Sequence, residues 1–229
     1  MKKTNYVLRG FTLVEMMVSM AVASISMAGI ISVFANTVQN NTESIKYTRL
    51  NQELRAIMDV MSNDIRRAGY WADANGITAN PFATSTAALA VTGNSCITYS
   101  YDVDDSGGPI TSSDNQGVKL IGNSVGIMAN ANGCGDSAAG DWDIISDPNS
   151  IEITNLNFQI ISDADAAFAS CINLTSQARD CNTAISGDQI RSINVVTITL
   201  AGRLINDISV NDSLAKTITV RNPVTSVVP

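Results

Sequence analysis

From residue 16 to residue 35 the chain holds no charged side chain, and apolar residues cover every face of any helix built from it. At 1.5 Å per residue such a segment is about 30 Å long, the thickness of bilayer hydrocarbon. Polar residues take over from Asn36 to Thr42, yet from there neither proline nor glycine interrupts the chain until Gly69. Apolar residues then recur at Leu50, Leu54, Ile57, Met61, Ile65 and Ala68 with helical spacing, while Glu53, Arg55, Asp59, Asn63, Arg66 and Arg67 fall mostly on other faces. Arg66 and Arg67 ahead of Gly69 form a helix C-terminal signature. One helix over 11–69, about 88 Å long, is the prediction, with its second half laid on a soluble core; the stripe over 50–68 is too short to require a coiled coil.

Beyond Tyr70 and Trp71 the period changes to short β-type runs separated by Gly, Asn and Asp. Strands are predicted over 88–92, 96–103, 117–121, 124–128, 141–145, 151–161, 190–200 and 214–221, with Gly122-Asn123 as a hairpin turn. Together they read as an antiparallel sheet with one face on the helix, an α+β fold without internal repeats.

Charge and composition narrow the function. Lys and Arg number 14 against 21 Asp and Glu, a net charge of −7, and removing residues 1–10 takes away Lys2, Lys3 and Arg9, leaving 11 against 21. Such a surface repels phosphate backbones, so no nucleic acid is expected to bind directly. Histidine is absent, which removes the commonest zinc ligand and every histidine-based triad. No glycine-rich phosphate loop, S-x-x-K or G-x-S-x-G motif occurs, and no enzymatic activity is expected. Cysteines at 96, 134, 171 and 181 form no CxxC and suit disulfides in an oxidising compartment. Three pairings are possible; sequence locality favours Cys96–Cys134 and Cys171–Cys181, the second closing a loop worth roughly 3 kcal/mol.

Residues 1–9 carry three positive charges and no negative one, so the apolar segment inserts with its N-terminus cytoplasmic. Read plainly, this is a secretory signal with Ala21-Val22-Ala23 as its cleavage site. Glu15 does not fit that reading, since a carboxylate in an apolar segment is costly and the apolar run continues well past Ala23. At the first turn of a helix it would favour the macrodipole and reach the interface.

Arg9-Gly10-Phe11-Thr12-Leu13-Val14-Glu15 resembles the class III signal of type IV pilins and type II secretion pseudopilins. The resemblance implies cleavage between Gly10 and Phe11 by a prepilin peptidase, N-methylation of Phe11, and retention of the apolar helix. It implies for Glu15 an assembly role, in which the carboxylate meets the N-terminal amine of a neighbouring subunit. Leu50 to Arg55, Asp64 to Trp71, Cys96 to Asp102 and Val220 to Pro223 are similar to the PilW group of minor pilins. The chain lacks the proline common in the apolar helix of major pilins.

This resemblance implies a leader at 1–10, a transmembrane and assembly helix at 11–35, its amphipathic continuation at 36–69 and a periplasmic or extracellular β-rich domain at 70–229. The implied partners are other major and minor pilins, the prepilin peptidase and the inner-membrane pilus assembly platform. The implied location is the inner membrane, as a single-pass protein, then the pilus or cell surface, with adhesion, twitching motility and DNA uptake as outputs of the system. Within the family the alternative is a minor pseudopilin of type II secretion, of the J kind; outside it, a membrane-anchored or secreted calcium-dependent adhesin.

Two acidic patterns remain. Asp102-Val103-Asp104-Asp105-Ser106-Gly107 resembles the start of a calcium loop, with Asp102, Asp104 and Ser106 as alternating oxygen ligands, but Ser113 stands where the closing bidentate glutamate is needed. A solvated turn after a strand is the simpler account of it. Asp163 with Asp165, or Asp141 with Asp143 beside Trp142, supply paired carboxylates as glycosidases use, yet nothing places them around a cleft and acidic loops are the simpler account.

Overall fold

The computed structural model describes residues 10–73, 80–83, 89–130, 133–135, 142–161, 170–177, 181 and 183–228. One helix, α1 (Leu13–Ile65), runs without interruption from the apolar segment into the amphipathic stripe. The chain divides into two compact units, Met1–Lys46 and Tyr47–Pro229. In the first, every described side chain is exposed, apolar ones included, except that of Lys46, which is half-buried.

In the second unit the stripe is buried. Leu50, Leu54, Met61 and Ile65 have no exposed surface, and Ile57 and Met58 have almost none. The helix ends at Ile65 rather than at Gly69, because Arg66 to Gly69 tighten into turns in which Arg67 N–H bonds Asp64 O and Ala68 N–H bonds Ile65 O. Gly69 takes φ +75°, a left-handed value that a side chain would strain, and an added Cβ there would lie 3.2 Å from Asn222 Cβ. The Asn222 side-chain amide donates to the carbonyl oxygens of Ala68 and Arg67, and Arg221 N–H donates to Arg66 O, so the carbonyls of the turns that follow the helix find donors from the far end of the chain.

Among the described residues eleven strands follow: β1 (Leu89–Thr92), β2 (Cys96–Ser100), β3 (Asn115–Ile121), β4 (Ser124–Ala129), β5 (Asp143–Ile144), β6 (Ile151–Ile161), β7 (Ser170–Asn173), β8 (Gln189–Ile193), β9 (Val195–Leu204), β10 (Asp207–Thr219) and β11 (Val224–Val227). They form three antiparallel sheets rather than one, in the orders β1-β2-β3-β4-β5, β10-β9-β6 and β11-β8-β7. The last two share a single ribbon: only Asn194 separates β8 from β9, and the pairs Ile161↔Val195 and Ser170↔Ile193 are successive rungs on either side of it. The hairpin turns of the first sheet close the free edge of β6, with Phe158 N–H bonding Asn94 O and Ile153 N–H bonding Asn123 O.

The helix stripe packs on both large sheets. Ile97, Tyr99, Val118 and Val125 from one, and Ile151, Ile153, Phe158, Val196, Ile198 and Leu200 from the other, join it in a continuous core. Gly202 lies where Leu54 of α1 meets β9: a Cβ there would sit 3.1 Å from Leu54 Cδ2 and 3.1 Å from Glu152 O. Cys96–Cys134 and Cys171–Cys181 are both disulfides, and no free cysteine occurs among the described residues. Cys96 is buried with Met128 and Trp142 in a second, smaller apolar cluster.

Candidate processing and assembly site

Gly10 and Phe11 precede the helix and are exposed, Phe11 by 86%. Thr12 is the residue before the first helical position, and Glu15 is the third residue of α1. Between them runs a reciprocal pair of bonds: Glu15 N–H donates to Thr12 Oγ1 (3.3 Å), and Thr12 N–H donates to Glu15 Oε2 (2.9 Å). The Thr12 hydroxyl also donates to Oε2 (3.0 Å). This is a capping box, in which two otherwise unpaired helix N-terminal donors are satisfied. The T-x-x-E spacing at 12–15 carried that signal in the sequence and reading it there was missed. Both bonds to the carboxylate use Oε2, and among the described residues none reaches Oε1.

The residues that follow present apolar side chains on every face, among them Leu13, Met17, Ile25, Ile30, Val33 and Phe34, each at least 60% exposed. Surface of this kind and extent is what a lipid phase or a bundle of like helices covers. Three of its hydroxyls are satisfied within the helix: Ser24 donates to Met20 O, Ser26 to Val22 O and Thr37 to Val33 O. This back-bonding lowers the cost of carrying those hydroxyls into hydrocarbon.

The acidic loop after β2 comes together differently from the spacing in the sequence. Carboxylate oxygens of Asp102, Asp104 and Asp114 lie within 4.8 Å of one another. Ser106 Oγ accepts from Gly108 N–H. Asp102 accepts from Ser106 N–H on Oδ1 and from Ala72 and Gly107 N–H on Oδ2. Asp114 accepts from Val103 N–H on one oxygen and from Thr111 N–H and hydroxyl on the other. Burial works to raise the pKa of both acids, and these donors outweigh it, holding both below the ordinary carboxylate value. Asp104 Oδ1 likewise accepts from Ser106 N–H, so the three carboxylates that stand as candidate cation ligands also organise the loop's own N–H groups. Asp141, Asp163 and Asp165 lie outside the described residues, and Asp143 is exposed on β5.

Three segments that the sequence singled out meet under the C-terminal end of α1. Asp64 accepts from the hydroxyls of Tyr99 and Tyr101, the latter at 2.9 Å, and Arg67 lies 4.2 Å from the centre of the Tyr101 ring. Asp102 N–H bonds Tyr70 O, and Asn222 caps the helix. These contacts hold the sheet on the helix and lie apart from the N-terminal motif in sequence; they are structural.

Residues 9–31 match the prokaryotic N-terminal methylation motif, and residues 43–220 match the family described as prepilin peptidase-dependent protein B. No curated protein and no solved structure matches the chain significantly. An exposed apolar helix that starts on a methylation motif and continues into an α+β body, most of it covered by the second match, leaves one assignment: the chain belongs to the prepilin peptidase-dependent protein B family, a type IV pilin-like protein.

Proposed function

We propose that this chain is a minor pilin of the PilW type that assembles noncovalently with other major and minor pilins to prime or join a type IV pilus. The prepilin peptidase cuts between Gly10 and Phe11, Phe11 is methylated on its new amine, and α1 stays in the inner membrane until the assembly platform draws it into the fibre. The α+β domain supplies subunit-specific contacts; it needs no cofactor and catalyses nothing. The carrying observation is Glu15. Its Oε2 caps its own helix while Oε1 has no hydrogen bond among the described residues, which supports a role for the carboxylate beyond helix capping.

The two roles separate by substitution. Glutamine at the third helical position still completes a capping box but carries no charge. Glu15→Gln is therefore expected to give a processed, membrane-resident protein that is missing from the assembled complex, whereas Thr12→Ala weakens the cap, keeps the charge and still assembles. Immunoblots of membrane and sheared-pilus fractions read both. Normal assembly of Glu15→Gln contradicts the charge-pairing role.

A further inference from the structure

Between α1 and the strands β3 and β4 lies a cavity of about 440 Å³, within the roughly 300–1,000 Å³ of small-molecule pockets. Gln116 and Val118 alternate onto one face of β3, and Val118 pairs with Ile127 of β4. These three meet Val60 and Met61 of the helix, so the apolar lining is Val60, Met61, Val118 and Ile127. Asn63, Asp64, Arg67 and Tyr101 complete it.

The polar groups of this lining are not equivalent. Asp64 is engaged on both oxygens, one accepting from the Tyr99 hydroxyl and the other from that of Tyr101. Gln116 gives its amide N–H to Ser113 O. Arg67 is exposed, its guanidinium lies 4.2 Å from the centre of the Tyr101 ring, and among the described residues no oxygen accepts from its side chain. The aromatic ring therefore holds the cation at the cavity while its planar fork of N–H donors stays uncommitted.

An apolar lining, one held cation and no free carboxylate oxygen select an occupant by charge and by shape. A cationic ligand is repelled by Arg67 and finds Asp64 already taken. A neutral apolar one covers the guanidinium without giving its donors an acceptor. A bare inorganic anion pairs with Arg67 and leaves the four apolar side chains uncovered. A second negative charge on the ligand meets the charge of Asp64. A single carboxylate carried on an apolar body satisfies every one of these conditions, with the fork geometry of arginine suited to both of its oxygens.

We propose that this cavity binds a small organic monocarboxylate, its oxygens on the Arg67 guanidinium and its apolar body against Val60, Met61, Val118 and Ile127. The site stands on these residues alone and does not depend on the assembly reading above.

The test uses the full-length chain with isotope-labelled tyrosine rings in micelles of a non-ionic detergent, and follows the Tyr101 ring signals by NMR with those of Tyr47 as the internal control. The probes are sodium benzoate, benzamide, which keeps the shape without the charge, and sodium sulfate, which keeps the charge without the apolar body. Benzoate is expected to shift Tyr101 saturably and to leave Tyr47 unmoved, with benzamide and sulfate about tenfold weaker. Arg67→Gln is expected to weaken benzoate about tenfold, and Arg67→Lys, which keeps the charge and loses the fork, by less. Unchanged Tyr99 signals report that each variant keeps the core, and the comparison of probes in the unsubstituted chain is independent of how the variants fold. No saturable shift of Tyr101 with benzoate up to its solubility limit, benzamide or sulfate binding as tightly as benzoate, or benzoate binding undiminished in Arg67→Gln overturns the site.

Discussion

Asp64 is shared by two tyrosine hydroxyls, and that sharing sets an alkaline limit on the fold. Burial, then the charge of Asp64 and its hydrogen bond, push Tyr101 up to about 12 and move Tyr99 in the same direction. A tyrosine in the unfolded chain ionises near pH 10, so the folded state holds these protons longer. Their contribution is complete below about pH 10 and is lost as pH rises through about 12. Thermal melts are expected to be level up to pH 10 and to fall steeply above it, and Tyr101→Phe to lower the melting temperature at pH 7 while flattening that fall. At this scale the sequence was legible where spacing is local. Gly10, Phe11 and Glu15 form one motif, and the T-x-x-E box was there to be read in the same seven residues. Asp64 was not legible, since its partners lie 35 and 37 positions away and nothing in a helical pattern marks a carboxylate for tyrosines. The third carboxylate of the acidic loop, Asp114, was hidden likewise: the calcium-like spacing favoured Ser106, and the chain instead turned back through Thr111.

Among the elements, α1 was the most legible because a 3.6-residue period repeated over five turns survives any detail of packing. Its stripe also carries the largest packing prediction. Leu54 is fully buried and touches the place where β9 has only glycine, so Leu54→Ala leaves a cavity walled by Gly202 that has no side chain to fill it. A loss of about 2–5 kcal/mol is expected in denaturant melts, against less than about 0.5 kcal/mol for the exposed Gln52→Ala on the opposite face. The strands were less legible. β10 begins seven residues before the predicted 214, and this added stretch pairs with β9 through a bulge that breaks the regular register. The predicted run 190–200 is two strands, since a single residue, Asn194, is enough to hand the chain from one sheet to the next. β7 and β11 were missed: each has only four residues, too few for alternation to stand out from a loop.

For the molecule as a whole, the α+β class followed from a long helix ahead of short strands, but the division into three sheets did not, because it depends on which distant strands pair. The two disulfides stabilise different parts. In the chain-entropy model, closing 38 residues at Cys96–Cys134 contributes about 4 kcal/mol and closing 10 at Cys171–Cys181 about 3 kcal/mol. Removal of the first pair also opens the cluster of Met128 and Trp142. Cys96→Ala with Cys134→Ala is therefore expected to lower the unfolding midpoint more than Cys171→Ala with Cys181→Ala. Nothing in that domain, however, decides whether the apolar helix stays with it. A retained helix that begins at Phe11 makes the chain a subunit, and a helix cut away makes it a secreted domain. Mass spectrometry of the N-terminal peptide from membrane-extracted protein measures this directly. The expected first residue is N-methylphenylalanine at position 11, with Glu15 as the fifth residue of the mature chain. A peptide beginning at Ser24, or one that still carries residues 1–10, contradicts the pilin account.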